Sequence, residues 1–204
     1  MEFSTALKRP FSDLKTFIIG SALSILPIIN FFAFGYILEA AKLTLKKKNT
    51  LPEWNNWGNL FVKGLLSVLI GFIYMIPGMI AMIYGGLGFF YFTGGGELSL
   101  SLFTGPRVIG SLLFASLFFL LALYLIPSAT LTFLTQRRFG AAFTFSTVFG
   151  KAFTGRYFLA WIVSSFVALV ISFLALLIPF VGVGIGSFVV MMIAYTLLAE
   201  AYRS

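Results

Sequence analysis

The chain has 204 residues, of which 60% are hydrophobic and only 10% charged, with 14 basic and 6 acidic side chains and a net charge of +8. An ordinary soluble domain carries about 25% charged residues, so a water-soluble globular protein is excluded. The counts of zero Cys and zero His exclude disulfides, thiolate nucleophiles, Cys-ligated clusters, His-dependent catalytic triads and His-ligated haem.

The charges fall in a few places and leave long uncharged runs at residues 16–38, 64–96, 108–136 and 157–199. About 20 apolar residues span the hydrocarbon core of a bilayer. The expected fold is therefore all-α: a polytopic integral membrane protein occupying 1–204 as a single transmembrane domain. The six acids, Glu2, Asp13, Glu39, Glu53, Glu97 and Glu200, form no close pair for a divalent metal. No catalytic residue, cofactor or metal site is assigned.

The first hairpin is expected over 11–45, with helices at 11–26 and 31–45 and a turn at Pro27-Ile28-Ile29-Asn30. As a single span, 16–38 would put Lys42, Lys46, Lys47 and Lys48 opposite Lys8, Arg9 and Lys15. The hairpin instead leaves all but Arg107 of the 14 bases on one side, and an excess of Lys and Arg marks the cytoplasmic side. Both termini are then cytoplasmic. Arms of roughly 15 residues reach only about 22 Å, so a partly re-entrant pair is the alternative to two full spans.

Next comes an interfacial segment at 51–60. A helix there would place Trp54, Trp57 and Phe61 on one face, opposite Asn55, Asn56 and Asn59, the pattern of an amphipathic stretch in the headgroup region. The central pair, 61–136, comprises helices at 61–92 and 106–136, each kinked by an interior proline, Pro77 or Pro127. Small residues recur along the first of them: Gly64, Ser67, Gly71, Gly78, Ala81, Gly85 and Gly88. Such a stripe lets backbones approach closely within lipid, either inside the same bundle, in a homo-oligomer, or along a pore.

A second interfacial segment is expected at 139–152, where Phe145, Phe149, Phe153 and Tyr157 recur every four residues beside Arg137, Arg138, Lys151 and Arg156. The run 157–199 is about twice the length that crosses the core and must fold in two. Ile178-Pro179-Phe180-Val181-Gly182-Val183-Gly184 supplies the turn, giving a last hairpin at 153–202 with helices at 153–178 and 185–202.

The two hairpins are related in sequence. Phe3-Ser4-Thr5, Arg9 and Phe11-Ser12 recur as Phe145-Ser146-Thr147, Lys151 and Phe153-Thr154 at a constant offset. Leu26-Pro27-Ile28 answers Ile178-Pro179-Phe180, and Glu39-Ala40-Ala41-Lys42 answers Glu200-Ala201-Tyr202-Arg203. Because both copies start on one side, the repeat is parallel. The expected architecture is thus a six-helix bundle, two related hairpins flanking a kinked central pair, with short interfacial amphipathic helices.

Glu39 and Glu200 are the acids nearest the membrane interior. Each has a base three residues on, Lys42 or Arg203, so local pairing competes with a coupling or proton-relay role. Lys46, Lys47, Lys48, Trp54, Trp57, Arg137, Arg138, Lys151 and Arg156 form a candidate lipid-facing basic and aromatic set. It reads either as a plain membrane anchor or as a platform for anionic lipid, to which each base near the surface adds about 1 kcal/mol. No groove-reading motif accompanies the bases, so nucleic acid is not an expected partner.

Ala6-Leu7-Lys8-Arg9-Pro10-Phe11-Ser12-Asp13, Leu26-Pro27-Ile28-Ile29-Asn30, Gly35-Tyr36-Ile37-Leu38-Glu39 and Leu51-Pro52-Glu53-Trp54-Asn55-Asn56-Trp57-Gly58-Asn59-Leu60-Phe61-Val62-Lys63-Gly64 together resemble the mostly archaeal membrane family catalogued as domain of unknown function 4013. The resemblance implies a prokaryotic cytoplasmic membrane and no particular activity. The expected role is a non-enzymatic, lipid-associated scaffold or accessory subunit, with membrane proteins or a second copy as partners. A small channel or transporter is the alternative.

Overall fold

The computed structural model describes residues 3–48, 50–93, 106–178 and 181–203, with side chains described outside 85–108. Among the described residues it is all helical, with eight α-helices: α1 (Phe3–Lys8), α2 (Leu14–Ile25), α3 (Asn30–Leu45), α4 (Trp57–Thr93), α5 (Pro106–Gln136), α6 (Phe145–Ala152), α7 (Gly155–Ala175) and α8 (Val181–Arg203). Short 3-10 turns, Arg9–Phe11 and Phe139–Phe143, precede α2 and α6. Four helices are long and apolar enough to cross a membrane, over Trp57–Tyr84, Ile109–Gln136, Gly155–Ala175 and Val181–Arg203, as befits a multi-pass membrane protein.

Local chemistry sets the boundaries. Asp13 caps α2 by accepting the Thr16 N–H at 2.9 Å, and Thr154 caps α7 by accepting the Tyr157 N–H at 3.3 Å. Such side chains satisfy one of the orphan donors of a helix start. Pro27, which has no N–H, stands two residues beyond the end of α2. Pro77 and Pro127 lie inside α4 and α5, which continue through them.

The chain forms two compact units. The first combines Met1–Val68 with Pro127–Ser204. Its interior helix is α8, which packs against α7, α3 and α2; 61% of its apolar stretch is buried, against 11% in α7. Phe166, Leu169 and Phe173 of α7 stand exposed, a surface suited to hydrocarbon. Close approach of α3 and α4 depends on two glycines. A Cβ on Gly35 would collide with the Leu60 carbonyl, and one on Gly64 with the Phe31 carbonyl. The second unit is Leu69–Ile126, in which Ile70 is fully buried and Gly78 lies against the Phe119 ring.

Three expectations need correction. The last helix starts earlier than the turn expected at 178–184 allows: α8 already begins at Val181 and takes in Gly182 and Gly184, which pack against Ala175 and Ile25. Leu51–Asn56 is not helical. Pro52 lies in this stretch and Asn56 takes a positive φ of 49°, so α4 starts at Trp57, and Trp54 and Trp57 do not share a helical face. In the second interfacial segment, the four-residue aromatic spacing breaks at Phe153. Thr154 starts a new helix there, which turns Tyr157 inward to 0% exposure.

Candidate functional site

The ends of α3 and α8 and the starts of α2 and α7 meet at one pole of the first unit, where polar and charged side chains concentrate. At its centre is Arg9, set by the 3-10 turn between α1 and α2 and only 3% exposed. Its Nη1 donates to Thr44 Oγ1 and, at 3.1 Å, to Thr196 Oγ1. Its Nη2 donates to the carbonyls of Ala40 at 3.0 Å and Thr50 at 3.1 Å. These partners are neutral oxygens, and Thr44 lies in the last turn of α3, where the helix dipole favours a cation. Burial lowers the guanidinium pKa from its ordinary value, an effect that the nearby Tyr36 opposes. One fork thus joins the turn before α2, helices α3 and α8, and the strand of chain after α3.

Sequence reading counted Arg9 only as one more loop base. Its match to Lys151 in the repeat, and its place in the family-like stretch Ala6–Asp13, are the signals the sequence offers. Lys151 itself lies with its ammonium 5.3 Å from the centre of the Tyr202 ring, within cation–π range.

Above Arg9 is a polar cavity of about 160 Å³ lined by Thr5, Thr44, Lys47, Thr196, Glu200 and Arg203. Arg203 Nη1 donates to the Thr44 carbonyl at 2.7 Å, closing the end of α3 from α8. Glu200 therefore faces this cavity, with two bases and three hydroxyls around it. Glu39 is engaged differently. Its carboxylate pairs with Lys63 of α4 and lies 3.7 Å from Lys42 of its own helix. Arg137, after α5, acts electrostatically on both lysines. The cross-helix partner Lys63 was missed because spacing along one helix reveals only neighbours three or four residues away.

The remaining predicted residues divide by environment. Lys46, Lys47, Lys48, Arg137, Arg138 and Arg156 are exposed around this pole. Trp57 is 44% exposed, whereas Trp54 is half-buried against Tyr36. In the small-residue stripe, Gly64 meets the Phe31 backbone, and Ser67 is buried with its hydroxyl unpartnered among the described residues. Gly71 and Gly78 lie against Ile126 and Phe119, and Ala81 is buried. The side chains at Gly85 and Gly88 lie outside the described residues. Among the described residues no group of three metal-ligating side chains occurs.

A family model described as Protein of unknown function (DUF4013) matches residues 19–180. No curated protein and no solved structure matches the chain.

Proposed function

From a chain that belongs to the DUF4013 family, whose description assigns no activity, we propose a non-enzymatic scaffold or accessory subunit of the cytoplasmic membrane that associates with anionic lipid through its basic pole. The single observation behind this reading is the gathering of Lys46, Lys47, Lys48, Arg137, Arg138 and Arg156 around one end of the first unit, all exposed. Bases at that level attract anionic headgroups. The charge bias of membrane loops supports a reading in which both termini are cytoplasmic.

The order of a short helix, a side-chain-capped helix and a returning helix occurs twice, as α1–α2–α3 and α6–α7–α8. That order supports two related hairpins, one on each side of α4 and α5 in the sequence.

The test is thermal unfolding of the purified protein in mild detergent with added phosphatidylglycerol or phosphatidylcholine, at low and at high salt. Phosphatidylglycerol is expected to raise the midpoint by several degrees at low salt and little at high salt. Replacing Lys46, Lys47 and Lys48 together by Gln is expected to weaken that rise. Equal shifts with both lipids would sink the proposal. Robust ion or solute flux through reconstituted liposomes would move the protein to the channel class.

A further inference from the structure

The charge on Arg9 is not answered by an acid. Its four bonds end on the hydroxyls of Thr44 and Thr196 and the carbonyls of Ala40 and Thr50. Its Nε is buried with no partner, and among the described residues no carboxylate forms an ion pair with it. A buried charge is ordinarily paired. A guanidinium only 3% exposed and without an acid leaves positive potential around it.

That potential reaches the polar cavity beside it. Thr44 and Thr196, the two hydroxyls that Arg9 holds, line the cavity, so the guanidinium stands directly behind its wall. Each hydroxyl also donates to the carbonyl four residues back, Thr44 to Ala40 at 3.2 Å and Thr196 to Met192 at 2.7 Å. The wall is therefore fixed, and donors for a ligand come from elsewhere.

They come from Lys47 and Arg203, which a single carbonyl gathers. The Thr44 C=O accepts the Lys47 N–H at 2.9 Å and Arg203 Nη1 at 2.7 Å. Lys47 takes a positive φ of 61° there, just beyond the end of α3. Both side chains line the cavity. Beyond that one bond, neither the Arg203 fork nor the Lys47 ammonium has a protein partner among the described residues. Counting Arg9 behind the wall, three bases face one acid, Glu200.

Such a space suits a small oxyanion. Arginine presents a planar fork that matches phosphate oxygens in pairs, and lysine adds a point charge. At about 160 Å³, with hydroxyls and charges in its walls, the cavity suits a phosphate group rather than an acyl chain.

We propose that this cavity binds one phosphate group: Arg203 and Lys47 hold its oxygens, while Arg9 supplies positive potential from behind the Thr44–Thr196 wall. With Lys47 at the end of α3 and Arg203 at the end of α8, a bound phosphate clamps the two helix ends together. A lipid headgroup and a soluble phosphate both present this group. Where the source is a lipid, the site rests on the lipid association proposed above and gives it one fixed position.

The test is calorimetric titration of the purified full chain in neutral detergent with inorganic phosphate, at constant ionic strength. Lys47→Gln and Arg203→Gln are each expected to weaken binding about tenfold. Glu200→Gln removes the one like charge and is expected to tighten binding severalfold. Arg138→Gln, outside the cavity, is expected to leave it unchanged. Absence of saturable binding, or a Lys47→Gln protein that binds like the parent, would overturn the site. Unfolding midpoints check that each variant folds; if Arg203→Gln, which also loses the Thr44 contact, does not, Lys47→Gln and Glu200→Gln decide by their opposite signs. Phosphatidylglycerol is then added. Competition with inorganic phosphate assigns the site to a lipid headgroup, and undiminished phosphate binding assigns it to a soluble phosphate. Failure of the titration leaves the lipid-dependent rise in unfolding midpoint standing, whereas phosphate binding without that rise removes only the lipid reading.

Discussion

The indole of Trp54 lies flat on the phenol ring of Tyr36, with ring centroids 3.9 Å apart and planes 9° from parallel. Its Nε1–H donates to Thr16 Oγ1 at 3.3 Å, and the Tyr36 O–H donates to the Pro52 carbonyl at 2.8 Å. The non-helical segment between α3 and α4 is thereby tied to α2 and α3. Replacing Trp54 by Ala is expected to cost about 2–4 kcal/mol, read as a lowered unfolding midpoint in detergent. Trp57→Ala is expected to cost roughly half as much or less, because that residue is 44% exposed. Equal losses would mean that the stack is not what holds the segment.

Gly35 and Gly64 make the α3–α4 contact reciprocal, each backbone lying against a carbonyl of the other helix. Gly35→Ala and Gly64→Ala should each cost at least about 1–3 kcal/mol, since a backbone cannot yield as a side chain can. Gly58→Ala meets nothing within 4 Å and should be neutral, or stabilising by up to about 1 kcal/mol. Thermal unfolding of the three variants decides; a Gly64→Ala protein as stable as Gly58→Ala would show that the helices can separate at no cost.

Arg9→Met leaves the carbonyls of Ala40 and Thr50 without their buried guanidinium donors and should cost about 3 kcal/mol. Arg9→Lys is expected to recover only part of this, because an ammonium does not reproduce a planar fork reaching four oxygens. Arg138→Met, at an exposed position, should stay within about 0.5 kcal/mol of the parent. Chemical denaturation in mixed micelles gives the comparison. Full rescue by Lys would reduce the role of Arg9 to charge alone.

The pair of Glu39 with Lys63 joins α3 to α4, and its side chains are 21% and 17% exposed. A double-mutant cycle with Glu39→Gln and Lys63→Met is expected to give a coupling of about 1 kcal/mol, at the upper end for exposed pairs because water reaches this one less. The parallel cycle with Lys42→Met should give less, since Lys42 stands at 3.7 Å. The opposite order would restore the i,i+3 partner as the principal one. In either case the loss should follow stability rather than a proton-coupled activity.

Much of this architecture is legible in the chain because it is local. Uncharged runs longer than the hydrocarbon core call for long apolar helices, and Pro27 marks the turn after α2. α3 starts at Asn30 and α5 covers Pro106–Gln136, within a residue of the bounds that hydropathy and charge suggest. None of these features depends on which helix neighbours which.

What the tertiary structure decided depends on rotation and register between helices, which periodicity along one helix does not contain. The Glu39–Lys63 pair exists because Gly35 and Gly64 let α3 and α4 come close enough. Trp54 left its expected helical face because stacking on Tyr36, together with the hydrogen bond to Thr16, favours an irregular, non-helical chain after Pro52. Arg9, one base among many in the sequence, is buried because the ends of α3 and α8 converge and present it with oxygens that water would otherwise have to satisfy.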